Sequence, residues 1–286
     1  MKQNLLFLAV VIAITGVITA AFSRQSNESL DLLRSPPQTV DLQPVPADPF
    51  TADALPTSEG VTPQTGDYVT ANPGAATSPT AVSPAPVTVP PSIKNTGYQP
   101  KQFQAAVHPS NYGERYARDA AGQPAKNDWI IVLHETVGSG TSAINHFQTP
   151  HPEDGDQASY HALIWLDGTI IYLVPPEKRA FGAGNSVFEG DRGPETVKTN
   201  PGLPPSVNNF AYHISLETPP NGRESKEPTH SGYTQAQYQS LAWLVARTGV
   251  PGNRITTHRN VDRSGNRGDP RSFDVATFQS MLSLYR

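Results

Sequence analysis

Apolar residues crowd into two zones of this chain and thin out between them. The first zone, residues 5–22, is nearly all apolar, with Lys2 ahead of it and the polar Arg24, Gln25 and Ser26 behind. The second begins near Gln99, where Phe103, Val107, Tyr112 and Tyr116 are the first candidates for a core. Residues 129–133 (Trp-Ile-Ile-Val-Leu) form a short apolar run that closes on His134, the pattern of a buried strand. Gly138-Ser-Gly140 then breaks the chain, and Thr141 or Ser142 can cap a short helix over 143–148 that Pro150 ends. Residues 160–166 and 169–174 flank Asp167-Gly168, a strong signal for a tight hairpin turn between strands. Gly and Pro recur throughout 181–209, which reads as loop, and 210–217 reads as a further strand stopped by Pro219-Pro220.

Thr234 with Gln237 makes a capping box, and Tyr238, Leu241, Leu244 and Val245 follow at helical spacing until Gly249 and Pro251. A short strand is expected over 254–258, and Asp274 caps a last helix whose Val275, Phe278, Met281 and Leu282 face inward. Strands alternating with helices predict an α/β fold, a mixed central β-sheet flanked by helices.

Composition changes the picture mainly outside that folded zone. Residues 25–97 are poor in core formers and rich in Pro, Thr, Ser and Ala, too few apolar groups to offset the entropy of ordering. They read as a disordered tether; as a loose coil of roughly 70 residues it would span about 45 to 50 Å. The basic head and apolar run of residues 1–24 match an export signal or, if uncleaved, a membrane anchor through 5–22. The expected location is therefore periplasmic or extracellular, with the folded zone, 98–286, as a single domain and a monomer as the simplest state. A net charge of -4 leaves no basic footprint for nucleic acid. With no cysteine in 286 residues, disulfides and thiolate chemistry are excluded, and any metal must be held by His, Asp or Glu.

Candidate chemistry lies in the strand-closing His134 and in the stretch 254–274, where His258 precedes a polar loop carrying Arg267 and Asp269. Two histidines and a carboxylate can hold a catalytic zinc and leave its fourth position to water. Taken singly, each histidine is more simply a hydrogen-bonded structural residue; the joint pattern reverses that in favour of the metal. His134-Glu135 does not open an HExxH motif, because Gly138 stands where the second histidine would be. His108, His146, His151 and His230 read as surface histidines, whereas His161 and His213 sit in strands, in the core or behind a ligand.

The motifs VLHET, SYHALIWLDGTIIYLV followed by FGAG, ISLE, and HR…RGDPRSFD occur in that order over about 125–286. In this the chain resembles the type-2 N-acetylmuramoyl-L-alanine amidases, zinc enzymes that share their fold with peptidoglycan recognition proteins and amidase-type phage lysozymes. The resemblance implies that His134, His258 and Asp269 are zinc ligands. It implies that Glu217 orients or deprotonates the attacking water, and that Tyr160 helps polarise the scissile carbonyl. Arg267 stands where the family often has lysine; it keeps the positive charge for an oxyanion but does not readily release a proton. From the residues alone, Glu217 is also a plain strand-end glutamate, Tyr160 a hairpin aromatic and Arg267 a solvated loop charge. The function implied is zinc-dependent hydrolysis of the bond between N-acetylmuramic acid and L-alanine in peptidoglycan or muropeptides. The alternatives are a non-catalytic peptidoglycan-binding module and a zinc endopeptidase acting within the stem peptide.

Overall fold

A computed structural model describes residues 40–45, 94 and 96–286. The expected leader or anchor at 1–24 and most of the expected tether at 25–97 lie outside the described residues, among which no helix is long and apolar enough to cross a membrane. In chain order the strands are β1 (Gln43–Pro44), β2 (Gln102–Gln104), β3 (Tyr112–Glu114), β4 (Ile130–Glu135), β5 (Ala162–Ile164) and β6 (Ile170–Tyr172). They continue as β7 (Lys178–Ala180), β8 (Phe188–Gly190), β9 (Gly193–Glu195), β10 (Ala211–Leu216) and β11 (Ile255–Thr257). The α-helices are α1 (Gly140–Gln148), α2 (Gln235–Arg247), α3 (His258–Val261) and α4 (Val275–Leu282).

One seven-stranded sheet, ordered β1-β2-β6-β5-β10-β4-β11, organises the domain. β1 with β2 and β5 with β6 pair antiparallel, and the remaining neighbours pair parallel, so the sheet is mixed as expected. β4 and β10 are neighbouring interior strands and are buried along their whole length. Alternation sends Ile131, Leu133, Tyr212, Ile214 and Leu216 to one face, where they pack against Leu241, Val245 and Phe278 of α2 and α4. Each such side chain contributes on the order of 1.5–3 kcal/mol through burial.

The opposite face is divided. Ile130, Val132 and Ala211 meet Phe188, Val207 and Val261 in one apolar cluster. Leu163 and Ile171 meet Ile144 and Phe147 of α1 in another. The same alternation puts His134 of β4 and His213 and Ser215 of β10 on this divided face, with Ser215 paired in register to His134. Between its two apolar clusters this divided face carries a polar seam, and the chemistry sits in it.

Local signals explain the frame. The capping box closes as expected, with Gln237 N donating to Thr234 Oγ1 at 3.1 Å and Thr234 N donating to Gln237 Oε1 at 3.0 Å. Gln237 is buried, and its Nε2 donates to the Glu217 carbonyl at 2.9 Å, so the cap also fastens α2 to the end of β10. Gly168 has φ +85°, and a Cβ there would come within 2.8 Å of the Ala236 carbonyl; both facts require glycine at the hairpin turn.

Four expectations are corrected. Residues 40–45, assigned to the tether, include β1, and the residues that flank it are docked, Val40 and Leu42 on the α1 cluster and Val45 on the α2 cluster. The 181–209 loop contains the β8–β9 ribbon, whose Phe188 fills the core. Tyr116 is 36 % exposed beneath the Arg179 guanidinium, and Val275 is 52 % exposed at the start of α4, so neither is core. The helix after β4 starts earlier than expected, capped by Ser139, whose side chain accepts from Ser142 N. Leu42→Asp should cost about 1–3 kcal/mol, read as a lower denaturant midpoint, since a charge would replace a docked apolar side chain.

Candidate metal centre

His134 is the fifth residue of β4, and its ring is held on the divided face by the strand on either side. His258 opens α3 directly after β11, the parallel neighbour of β4, which brings the second imidazole alongside the first. Asp269 arrives from the loop behind α3, where Arg259 N donates to the Asp269 carbonyl at 2.9 Å. Arg259 Nη2 also donates to the Pro270 carbonyl at 3.0 Å. Ligand and anchor thus alternate along the same few residues.

The three side chains converge. One donor atom from each of His134, His258 and Asp269 lies within 4.8 Å of the other two. Asp269 Oδ2 is 3.3 Å from His134 Nδ1, and Asp269 Oδ1 is 3.0 Å from His258 Nδ1. Ligands at about 2.0–2.2 Å from a tetrahedral zinc stand about 3.3–3.5 Å apart, so these separations fit. Their protonation fits as well. Burial lowers the His134 pKa from 6.5 to about 4 against the opposing hydrogen bond with Asp269, which keeps the ring neutral. Burial alone would raise Asp269, but hydrogen bonds from His134 and His258 outweigh it and hold the carboxylate ionised. A neutral imidazole at His134 and an ionised carboxylate at Asp269 are the states a divalent cation requires of them.

His134 Nε2 lies 2.9 Å from His213 Nδ1. A metal held by Nδ1 of His134 would leave the ring proton on Nε2, which would then donate to His213 Nδ1 and fix the tautomer. Gly182 leaves room for this partner, since a Cβ there would meet the His213 ring at 2.5 Å. His213 and His161 are both buried, and burial pushes both pKa values well below 6.5.

A cleft of about 730 Å³ opens over the three residues, and Tyr160, Arg267, Val137 and Glu224 contribute to its walls. The Tyr160 ring centroid is 4.7 Å from that of His134 and 5.3 Å from that of Phe147. Burial, reinforced by the charge of Asp269, raises its pKa above 10.0, so the phenol keeps its proton near neutral pH. Arg267 is exposed, and its loop is shaped by Asp262, whose carboxylate accepts from the backbone N of Ser264, Asn266 and Arg267 at 3.0, 3.1 and 3.2 Å.

Glu217 is elsewhere. It does not line the cleft; its Oε1 accepts from Gly140 N at 3.0 Å and Arg223 Nη2 at 2.9 Å, and its Oε2 accepts from Leu166 N at 3.0 Å. The carboxylate ties the start of α1, the hairpin and the 219–224 segment to the end of β10. The expectation of a proton acceptor at Glu217 is therefore corrected to a structural clamp. His230, expected at the surface, is likewise corrected: its side chain is fully buried and its Nε2 lies 2.9 Å from Glu135 Oε2. Tyr233 OH donates to the same oxygen at 3.0 Å, and Arg271 Nε donates to Glu135 Oε1. Arg271 follows Asp269 by two residues, so this network holds the third ligand's loop against the strand that carries the first. Sequence reasoning missed Glu135, Arg271, Asp262 and Gln237's second bond, although Asp262-Arg-Ser-Gly265 is a recognisable Asx-turn signal.

A family model described as N-acetylmuramoyl-L-alanine amidase (Amidase_2) matches residues 125–272, more than half of the chain. The chain belongs to that family. All three converging residues lie within the matched region, as do Tyr160 and Arg267. Among curated proteins, this amidase-family chain is 31% identical over 131 residues to the 1,6-anhydro-N-acetylmuramyl-L-alanine amidase AmpD of Citrobacter freundii, covering 44% of this chain and 58% of that protein. It is 31% identical over 134 residues to AmpD of Escherichia coli strain K12, covering 44% and 60%. The chain thus spans less than two thirds of the length of these relatives. Among solved structures, a selenomethionine AmpD derivative aligns with 25% identity and a TM-score of 0.42, over 65% of this chain and 97% of that one.

Two outcomes follow from the electrostatics. In the metal-free protein the unfolded chain takes up protons at histidine below about 6.5, whereas folded His134 does so only near about 4. Stability is therefore intact above that window and falls as pH drops through it, by about 1.4 kcal/mol per pH unit for each such histidine; urea midpoints at pH 7, 5.5 and 4.5 measure this. Glu217→Ala should cost on the order of 2–4 kcal/mol by stranding its donors, while catalytic turnover per folded molecule stays within a few-fold of wild type.

Proposed function

We propose that this chain is a zinc-dependent amidase that hydrolyses the bond between the lactyl group of N-acetylmuramic acid and L-alanine in peptidoglycan-derived muropeptides. The observation that carries the reading is the convergence of His134, His258 and Asp269 within ligating distance of one another, with His258 and Asp269 lining an open cleft. Family membership and the names of the AmpD relatives support the substrate class. When bound, zinc acts as a Lewis acid and brings the pKa of water towards about 7, which makes a nucleophile available at neutral pH.

The chain's own residues then hold the reactants and receive charge. His134 and His258 present Nδ1 lone pairs, and Asp269 supplies an anionic oxygen. Tyr160, protonated and beside His134, donates a hydrogen bond to the carbonyl oxygen as negative charge develops on it. Arg267 adds a positive charge from the exposed wall but keeps its own proton. Glu217 is occupied elsewhere and Glu135 is bound by Arg271, His230 and Tyr233, so neither is the acceptor of the water proton, and Tyr160 and Arg267 contribute as donors to the developing oxyanion. We further propose, from the apolar segment at 5–22, that the enzyme acts outside the cytoplasm on wall-derived material.

His134→Ala or His258→Ala should abolish release of peptides carrying a new L-alanine amino terminus from a purified muropeptide, scored by mass spectrometry. Chelation should remove the same activity and added zinc restore it. Tyr160→Phe should lower kcat about 10²- to 10³-fold, the scale for one oxyanion donor. Cleavage within the stem peptide, or binding without cleavage, would replace the reading with an endopeptidase or a binding module.

A further inference from the structure

The loop between β4 and α1 contains a residue whose conformation neither the sheet nor the ligand set requires. Val137, three residues beyond His134, has φ 60°. A β-branched side chain rarely adopts that left-handed region, because its Cβ substituents crowd the neighbouring carbonyl. The surroundings hold it there. Val137 N donates to Thr218 Oγ1 at 2.8 Å, and Thr218 N donates to Thr136 Oγ1 at 3.0 Å. Thr136 Oγ1 in turn donates to the Gly138 carbonyl at 2.6 Å. On the other side, the Val137 carbonyl accepts from Glu224 N at 2.9 Å, and Glu224 is itself left-handed, with φ 54°.

Every bond that residue 137 makes in this arrangement uses its backbone. Glycine would make all of them without strain, so the hydrogen-bonded loop accounts for the conformation but not for the isopropyl group. That group is not consumed by the core either: Val137 is 46 % exposed and forms part of the cleft wall above the three converging residues. Strain that persists beside a reactive site, kept in place on both sides, marks a side chain retained for what it presents.

We propose that Val137 is a specificity-determining residue that offers an apolar contact to the methyl-bearing lactyl–alanine segment of the substrate next to the scissile amide. The proposal rests on the muropeptide amidase reading above. The backbone strain is the cost of placing a branched apolar group at the mouth of the cleft, and substrate binding is what it serves. Val137 touches neither the metal ligands nor Tyr160 through any hydrogen bond, so its loss affects substrate affinity ahead of chemistry.

Three variants of the full chain test this: Val137→Gly and Val137→Asn, both suited to left-handed backbone, and Val137→Leu, which keeps apolar bulk. Thermal midpoints are measured together with kcat and KM on a muramyl-L-alanyl peptide. The Gly and Asn variants should melt about 2–4 °C higher, with KM raised about tenfold and kcat within twofold of wild type. The Leu variant should keep KM within about threefold of wild type. Unchanged KM in the Gly and Asn variants overturns the substrate contact, and lower midpoints in both overturn the strain. Wild-type protein that neither cleaves nor binds the peptide overturns the amidase reading itself, an outcome seen before any variant is compared.

Discussion

The centre of this protein depends on one carboxylate shared by two imidazoles. Asp269 stands 3.3 Å from His134 Nδ1 and 3.0 Å from His258 Nδ1, in a place where burial opposes charge on both His134 and Asp269. Each group keeps the protonation state that the others need. An unpaired carboxylate at such a site would be costly, and an unpaired pair of histidines would lack an anion to organise them. Their arrangement is tolerable as a set, and as a set it offers three ligand atoms to a cation.

That set is delivered by unequal treatment of the two faces of one sheet. The face under α2 and α4 is apolar along most of β4 and β10, giving way to a polar network only at Glu135, and this fixes the register of the two strands. The other face is apolar at two clusters and polar between them, where His134, His213 and Ser215 lie. Register and chemistry are thereby assigned to opposite sides of the same two strands. The polar seam carries its own expense: His213 Nε2 is buried without a hydrogen-bond partner, while its Nδ1 faces His134.

The segments that bear the rest of the site are tied to this seam by buried ionic contacts rather than by apolar packing. Glu217 gathers Gly140, Leu166 and Arg223, and Glu135 gathers Arg271, His230 and Tyr233. Removing either carboxylate would strand several donors at once, so the two act as clamps around the cleft. Two acidic residues at the ends of central strands are thus occupied in holding the loops from which ligands and cleft walls come. This is why the family resemblance, which implies a proton acceptor at Glu217, does not carry over to that residue.

Much of the fold was legible from local physics. The apolar run ending at His134, the Asp167-Gly168 hairpin, the Thr234–Gln237 capping box and the helix behind it each depend on residues within a few positions of one another. The convergence of His134, His258 and Asp269 was legible too, because the three belong to a joint motif. Contacts between distant segments were not. Nothing local says that Leu42 docks beside β2, that Glu217 turns to three donors instead of the cleft, that His230 is buried against Glu135, or that Val137 is held left-handed. The sequence by itself determined which elements form and which residue types can bind a metal, since those follow from periodicity, capping and side-chain chemistry. The tertiary structure alone decided which carboxylates are free to react and which are spent as clamps, because that depends on donors supplied from tens of residues away.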